Sequence, residues 1–288
     1  MNRDVSHSPP LSGSDLKRYQ EMGVLFPIPV LSLEEQRRFR SAIDEFVALS
    51  DTSAKPANVG QCHLNFEFAY DLSTHQRIID AVEQIIGPNI LVHSSTIFSK
   101  RPGRSFVSWH QDSVYWHLSE PRLVSAWIAL SESTVENGCM RVQSGSHLRQ
   151  RKHAEIRHED NMLGTGSTVK GGPDEASTVN VVLRAGEMSL HHANLLHGSD
   201  PNRSNHNRIG FAVRYLAPDV QQGREHHEVI LARGHDRYQH FQHLKNPPVY
   251  SVRDGMQLHI AFSSSLNKRD LDRQGPRVTS NEISLYTD

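Results

Sequence analysis

The run SWHQDSVYW places His110 and Asp112 two residues apart on a segment that reads as a β-strand. Alternate side chains on a strand leave the same face, so this imidazole and this carboxylate can converge on one ion. Further along, LHHANLLHGSD offers His191, His192 and His197 as a third donor, in a run that ends at a Gly-Ser turn. Two imidazoles and one carboxylate form a facial triad, which leaves coordination positions open for a chelating cosubstrate and O₂. Zinc sites prefer four-coordinate closure with more nitrogen or sulfur, so this donor set suits iron(II) better. An H-x-D pair is common by itself, and its meaning depends on the elements that bring the third donor to it.

Those elements change character along the chain. Residues 1–14 are polar and read as an arm, after which Ser14 and Asp15 can cap a short helix carrying Leu16 and Tyr19. Ser32 precedes LEEQRRFRSAIDEFVAL, in which Phe39, Ile43, Phe46 and Val47 recur at helical spacing and Glu35 completes a capping box. A further helix is expected from Ser73 to Ile86, stopped by Gly87-Pro88. Beyond Asn89 come short β-rich runs, among them ILVHSSTIF, LVSAWIAL, TVNVVLR, EMSLHHANLLH and RIGFAVRYLAP, each bounded by turn residues.

Strands at this density, with no helix between each pair, call for packed sheets rather than a parallel α/β sheet. The expected fold is mainly β with flanking helices: a double-stranded β-helix, the jelly roll of cupin-like proteins. It is read as one domain over residues 1–288, with an N-terminal helical region (1–88), a core (89–218) and a C-terminal extension (219–288). Within the core, residues 148–178 are polar and rich in Gly, His and charge. Loops of that length are usually functional, and this one reads as a substrate-facing lid.

Composition narrows the partners. The 31 Lys and Arg nearly balance the 32 Asp and Glu, so there is no global field to attract nucleic acid or an anionic membrane. A charged small molecule would have to be recognised locally. Only Cys62 and Cys139 are present, which points to a reducing compartment, with the cytoplasm as the expected location. The polar N-terminus lacks a secretory apolar core, no run approaches about 18 apolar residues, and the terminal SLYTD is not a peroxisomal address. The 19 histidines are dispersed, so most are bystanders.

Four strings between His93 and Pro218 carry a resemblance: WHQD, LVSAWIAL, ENGCMRVQSGSH, and LLHGSDPNRS with the arginine that follows it. Together they resemble the phytanoyl-CoA dioxygenase family of iron(II)- and 2-oxoglutarate-dependent oxygenases. The resemblance implies His110, Asp112 and His197 as metal ligands, with the string LLHGS selecting His197 over His191 and His192. It implies that Arg208, eleven residues beyond His197, pairs with the distal carboxylate of 2-oxoglutarate. It also implies cosubstrate-pocket positions for Ser199, Gln111 and Trp127. The implied reaction uses O₂ to decarboxylate 2-oxoglutarate to succinate and CO₂ and oxidises a small molecule, with ascorbate as a stimulant of turnover.

Halogenating members replace the acidic ligand with a small residue, so Asp112 points to hydroxylation or a related oxidation. The polar lid favours a compact polar substrate over phytanoyl-CoA: an amino acid or its derivative, a phosphonate or a secondary metabolite. Two other readings stay open, a cupin-like protein that binds without turnover and a zinc enzyme on the same barrel. The first has no need of the dicarboxylate clamp that Arg208 would supply. Among further residues, Arg214 rivals Arg208, and Arg101 and Arg104 are either an anion site or a solvated turn. His117, His147, His153 and His158 read as solvated loop residues. Trp109, Tyr115 and Trp116 are core or pocket wall, and Cys139 and Met140 read as core.

Overall fold

The computed structural model describes residues 11–50, 58–116, 119, 122–222 and 228–257. The expected arm up to residue 10, His117, the side chains of Tyr115 and Trp116 and the segment from residue 258 onward lie outside the described residues.

Helices come first along the chain. They are α1 (Gly13–Met22), α2 (Leu33–Ser50), α3 (Glu67–Ser73) and α4 (Gln76–Ile86), with β1 (Val24–Pro29) and β2 (Asn58–Gly60) between them. The cap of α1 is Ser12 rather than Ser14: its hydroxyl accepts from the Asp15 N–H while the Asp15 carboxylate takes the Ser12 N–H. Ser32 and Glu35 form the expected capping box of α2. The helix expected from Ser73 begins at Gln76, because α3 ends at Ser73 and the chain turns through Thr74 and His75. Gly87, at a φ of 90°, ends α4 where a side chain would be strained.

The strands follow: β3 (Ile90–Lys100), β4 (Val107–His110), β5 (Leu123–Ala129), β6 (Met140–Gln143), β7 (His153–Glu155), β8 (Ser167–Val169), β9 (Thr178–Val181), β10 (Glu187–His192), β11 (His197–Ser199), β12 (Arg208–Leu216), β13 (Glu228–Arg233) and β14 (Gln242–His243). A short helix, α5 (Ser113–Trp116), lies between β4 and β5. The large sheet has the order β1-β10-β5-β12-β3-β13-β14, with β2 also paired to β3, and the small sheet runs β4-β11-β6-β9. This is the expected jelly roll, its two sheets facing one another without closing into a barrel.

Residues 24–29 are a strand inside the region expected to be helical. Two prolines obscure the pattern in VLFPIP, and they are tolerated because β1 is the sheet's edge and bulges between Leu25 and Ile28. At the other end, β13 joins the large sheet beside β3, so the segment after residue 218 contributes to the core architecture. The 148–178 segment is built on a β7–β8 hairpin.

The large sheet is buried on both faces, and β12 shows how. Ile209, Phe211, Val213 and Tyr215 face the helices and pack with Ile78, Ile79 and Val82 of α4 in one core. The intervening Arg208, Gly210, Ala212 and Arg214 take the opposite face, toward the small sheet. The Tyr215 hydroxyl donates to the Ser73 carbonyl at 2.9 Å, tying sheet to helix layer. Both faces being covered explains why LVSAWIA reads as an unbroken run rather than an alternation: all seven residues of β5 are buried. Among the described residues no helix is long and apolar enough to cross a membrane.

Candidate metal centre

The EMSLHHANLLH run is not one strand. It breaks after His192, and β10 stays in the large sheet while β11 crosses to the small one. In the small sheet His197 stands opposite His110 of β4. Strand alternation does not place Asp112, since β4 ends at His110; the chain turns there and returns the carboxylate to the imidazoles. His110, Asp112 and His197 are buried, and one donor atom from each lies within 4.8 Å of the others. Asp112 Oδ1 is 3.4 Å from His110 Nε2 and 3.9 Å from His197 Nε2.

Hydrogen bonds aim the donors. His110 Nδ1–H donates to the Ser108 carbonyl at 2.8 Å, and His197 Nδ1–H donates to the Leu195 carbonyl at 2.9 Å. Each bond holds its ring with Nε2 turned toward Asp112. Ser125 donates to the other carboxylate oxygen, Oδ2, at 3.2 Å, and Arg214 Nε lies 3.8 Å from it. Burial pushes the Asp112 carboxyl up, but the hydrogen bond to His110 and the charge of Arg214 outweigh it and hold Asp112 well below the ordinary carboxylate range. Burial, then His110, lowers His197 well below the ordinary imidazole value, so it is neutral and able to ligate. The donor set therefore fits a divalent ion of the iron(II) kind.

His191 is also buried nearby, with Nε2 4.0 Å from Asp112 Oδ2, but it belongs to the other sheet and is outside the three-donor group. His192 turns toward His147, their rings 5.2 Å apart.

The three donors open into a cavity of about 350 Å³ whose wall includes Trp127, Ser199, Arg208, Thr96 and Arg214. Arg208 is buried, donates to the Gly138 carbonyl at 2.6 Å and lies over the Trp127 ring at 5.3 Å, and burial lowers its pKa to about 10. Gly210 permits this arrangement, since a Cβ there would come within 2.0 Å of the Trp127 ring. Three of the expected pocket residues, Arg208, Ser199 and Trp127, are thus brought together with the donors.

Gln111 is not. Its amide donates to the Arg149 and Asn194 carbonyls at 2.9 and 2.5 Å and accepts from the Arg151 N–H at 2.8 Å, which ties the start of the 148–178 segment to the β10–β11 crossing. The neighbouring His153 accepts from the Gln111 N–H at 3.1 Å, so it is an internal link rather than a solvated residue. His147 is likewise buried, bonded to the Gln20 carbonyl at 3.0 Å. Trp109 is half-buried beneath Arg141 at 5.5 Å, and Met140 is both core and cavity wall. Arg104 is exposed and pairs with Asp160 at 3.6 Å, away from the cavity. Leu163, Gly164 and Thr165 of the 148–178 segment reach the cavity wall.

Sequence reasoning passed over Lys100. It is buried, and its Nζ donates to Ser199 Oγ at 2.5 Å and to the Asp200 carbonyl at 2.6 Å. Alternation could have found it, because Thr96 and Phe98 of the same strand line the cavity and Lys100 follows them on that face.

Several known proteins are similar to this chain. A probable alpha-ketoglutarate-dependent hypophosphite dioxygenase of Stutzerimonas stutzeri is 30% identical over 55% of this chain, which spans 56% of that protein's length. An ectoine dioxygenase of Streptomyces avermitilis is 27% identical over 67% of this chain and 74% of its own. The chain spans about half of a mouse phytanoyl-CoA dioxygenase domain-containing protein 1, at 51% of its length and 32% identity. Among solved structures, the apo form of the non-heme monooxygenase ThoJ superposes with a TM-score of 0.72 at 26% identity, covering 90% of this chain and 99% of that one. The phytanoyl-CoA dioxygenase (PhyH) profile matches residues 19–210, a span that takes in α2 to α5, β1 to β11, the three donors and Arg208, and the chain belongs to that family.

Proposed function

We propose that this chain is an iron(II)- and 2-oxoglutarate-dependent dioxygenase that hydroxylates a compact polar small molecule, releasing succinate and CO₂. The observation that carries the reading is the buried His110, Asp112 and His197 cluster opening into the same cavity as Arg208. When bound, the iron supplies the activation of O₂ that neither substrate nor side chains can perform. His110, Asp112 and His197 would hold it. Arg208 would hold the distal carboxylate of 2-oxoglutarate, and its buried Nε, which has no hydrogen-bond partner among the described residues, fits such an incoming acceptor.

The other residues orient and shield. Ser108 and Leu195 fix the two imidazoles, Ser125 fixes the carboxylate, and Leu163 to Thr165 supply part of the cavity wall. Asp112 fills the position that halogenation would need vacant, which favours hydroxylation. The relatives' names specify hypophosphite and ectoine, both compact and polar, and a cavity of about 350 Å³ suits a molecule of that size beside the cosubstrate. Free, buried Cys62 and Cys139 support a cytoplasmic location.

The test is succinate release with iron(II), 2-oxoglutarate and ascorbate across candidate substrates. Wild type should turn over 2-oxoglutarate, while Asp112→Ala and Arg208→Ala should each lose most of that turnover. Equal turnover by all three proteins would overturn the reading.

A further inference from the structure

β12 turns two arginines toward the cavity, and only one of them has a role in the reading above. Arg208 and Arg214 are on the same strand face, six residues apart, which separates their backbones by about 20 Å. Arg208 sits at the Gly138 and Trp127 end. Arg214 sits at the other, with Nη1 donating to Thr96 Oγ1 at 2.9 Å and Nε 3.8 Å from Asp112 Oδ2. Its strand neighbours are Ser94 on β3 and Ser125 on β5. Ser94, Thr96 and Gln61 line the cavity with it, so this end is a hydrogen-bonding wall next to the three donors.

The charges of that wall do not balance. Its described residues include two guanidinium groups, Arg208 and Arg214, and one carboxylate, Asp112, which is committed to the donor cluster. Loading with a divalent ion and a dianionic keto acid adds no net charge, so the excess of guanidinium groups among the described lining residues is unchanged. A buried positive wall favours an anion that brings its own acceptors. Arg208 and a single five-carbon dicarboxylate leave Arg214's end to the other substrate.

We propose that Arg214, with Thr96 and Ser94, forms an oxyanion subsite for the primary substrate, which is therefore a compact molecule bearing a carboxylate or a phosphonate-type group. This rests on the proposed function and narrows it. The competing role for Arg214 is purely to orient Asp112, and the two differ in what a substitution should change.

The experiment is calorimetric titration of the anaerobic protein, loaded with iron(II) and 2-oxoglutarate, with butanoate, methylphosphonate and uncharged butanamide. At least one anion should bind tenfold or more tightly than butanamide, and whichever anion binds more tightly identifies the head group. Arg214→Gln should remove the preference, Arg214→Lys should restore part of it, and the affinity for 2-oxoglutarate, which Arg208 holds at the other end, should change less than threefold. The subsite is wrong if neither anion outbinds butanamide, or if the anion preference persists in Arg214→Gln. If 2-oxoglutarate itself fails to bind wild type, the proposed function falls; if it binds in an Arg208-dependent way without an anion preference, only the subsite falls.

Discussion

His197 faces His110 directly across the antiparallel β4–β11 pair, with their ring centroids 4.1 Å apart. The donor cluster is therefore a property of strand register. A one-residue slip of β11 would turn His197 to the opposite face and leave His110 and Asp112 without their third donor. The carbonyls of Ser108 and Leu195, each two residues before the imidazole it holds, make the orientation local as well.

Arg208→Ala should raise the KM for 2-oxoglutarate about 10–100-fold, the range of a lost charge-assisted pair. Arg208→Lys should recover only part of it, because an ammonium cannot reproduce the planar two-point contact. Initial rates of succinate release against 2-oxoglutarate concentration would show this, and an unchanged KM in Arg208→Ala would remove the residue from the cosubstrate site.

Lys100 should make stability depend on pH. Burial, and then the charge of Arg208, lowers its pKa from 10.5 to about 6. Between those values the unfolded chain holds more protons than the folded one, so this residue makes stability rise as pH increases from about 6 toward 10. Urea unfolding at several pH values should show that rise in wild type and a flatter profile in Lys100→Met. Identical slopes would mean that Lys100 is charged in the folded protein.

Gly210→Ala should destabilise the protein by about 1–3 kcal/mol, the usual range for overpacking. The added methyl would have to displace the Trp127 ring, and with it the surface on which Arg208 lies. Denaturant unfolding and the KM for 2-oxoglutarate should change together; a neutral substitution would mean the ring is free to move.

Gln111→Ala should lower stability by about 1–3 kcal/mol by leaving the Arg149 and Asn194 carbonyls unsatisfied. Iron stoichiometry should be retained. A raised KM for 2-oxoglutarate at unchanged stability would instead return Gln111 to the cosubstrate pocket.

Much of this was legible in the sequence because it is local. The Ser32–Glu35 box, the α4 periodicity and the inward alternation of RIGFAVRYL are written in neighbouring residues. What was hidden depends on contacts distant in the chain. Nothing in EMSLHHANLLH announces that it changes sheets after His192, yet that crossing separates His191 from His197. β1 was concealed by prolines that only an edge position allows. Gln111 lies between two residues of the donor group, but its amide serves backbone groups far along the chain. Lys100 closes a strand whose inward face is recognisable only once the cavity is known.

Iron content tests the central claim most directly. Protein reconstituted anaerobically with ferrous iron and desalted should retain about one ion per chain in wild type, as a single three-donor site requires. His197→Ala should retain almost none, and His191→Ala should retain nearly the wild-type amount. Full retention by His197→Ala, or loss in His191→Ala alone, would contradict the assignment of the donors and the account built on it.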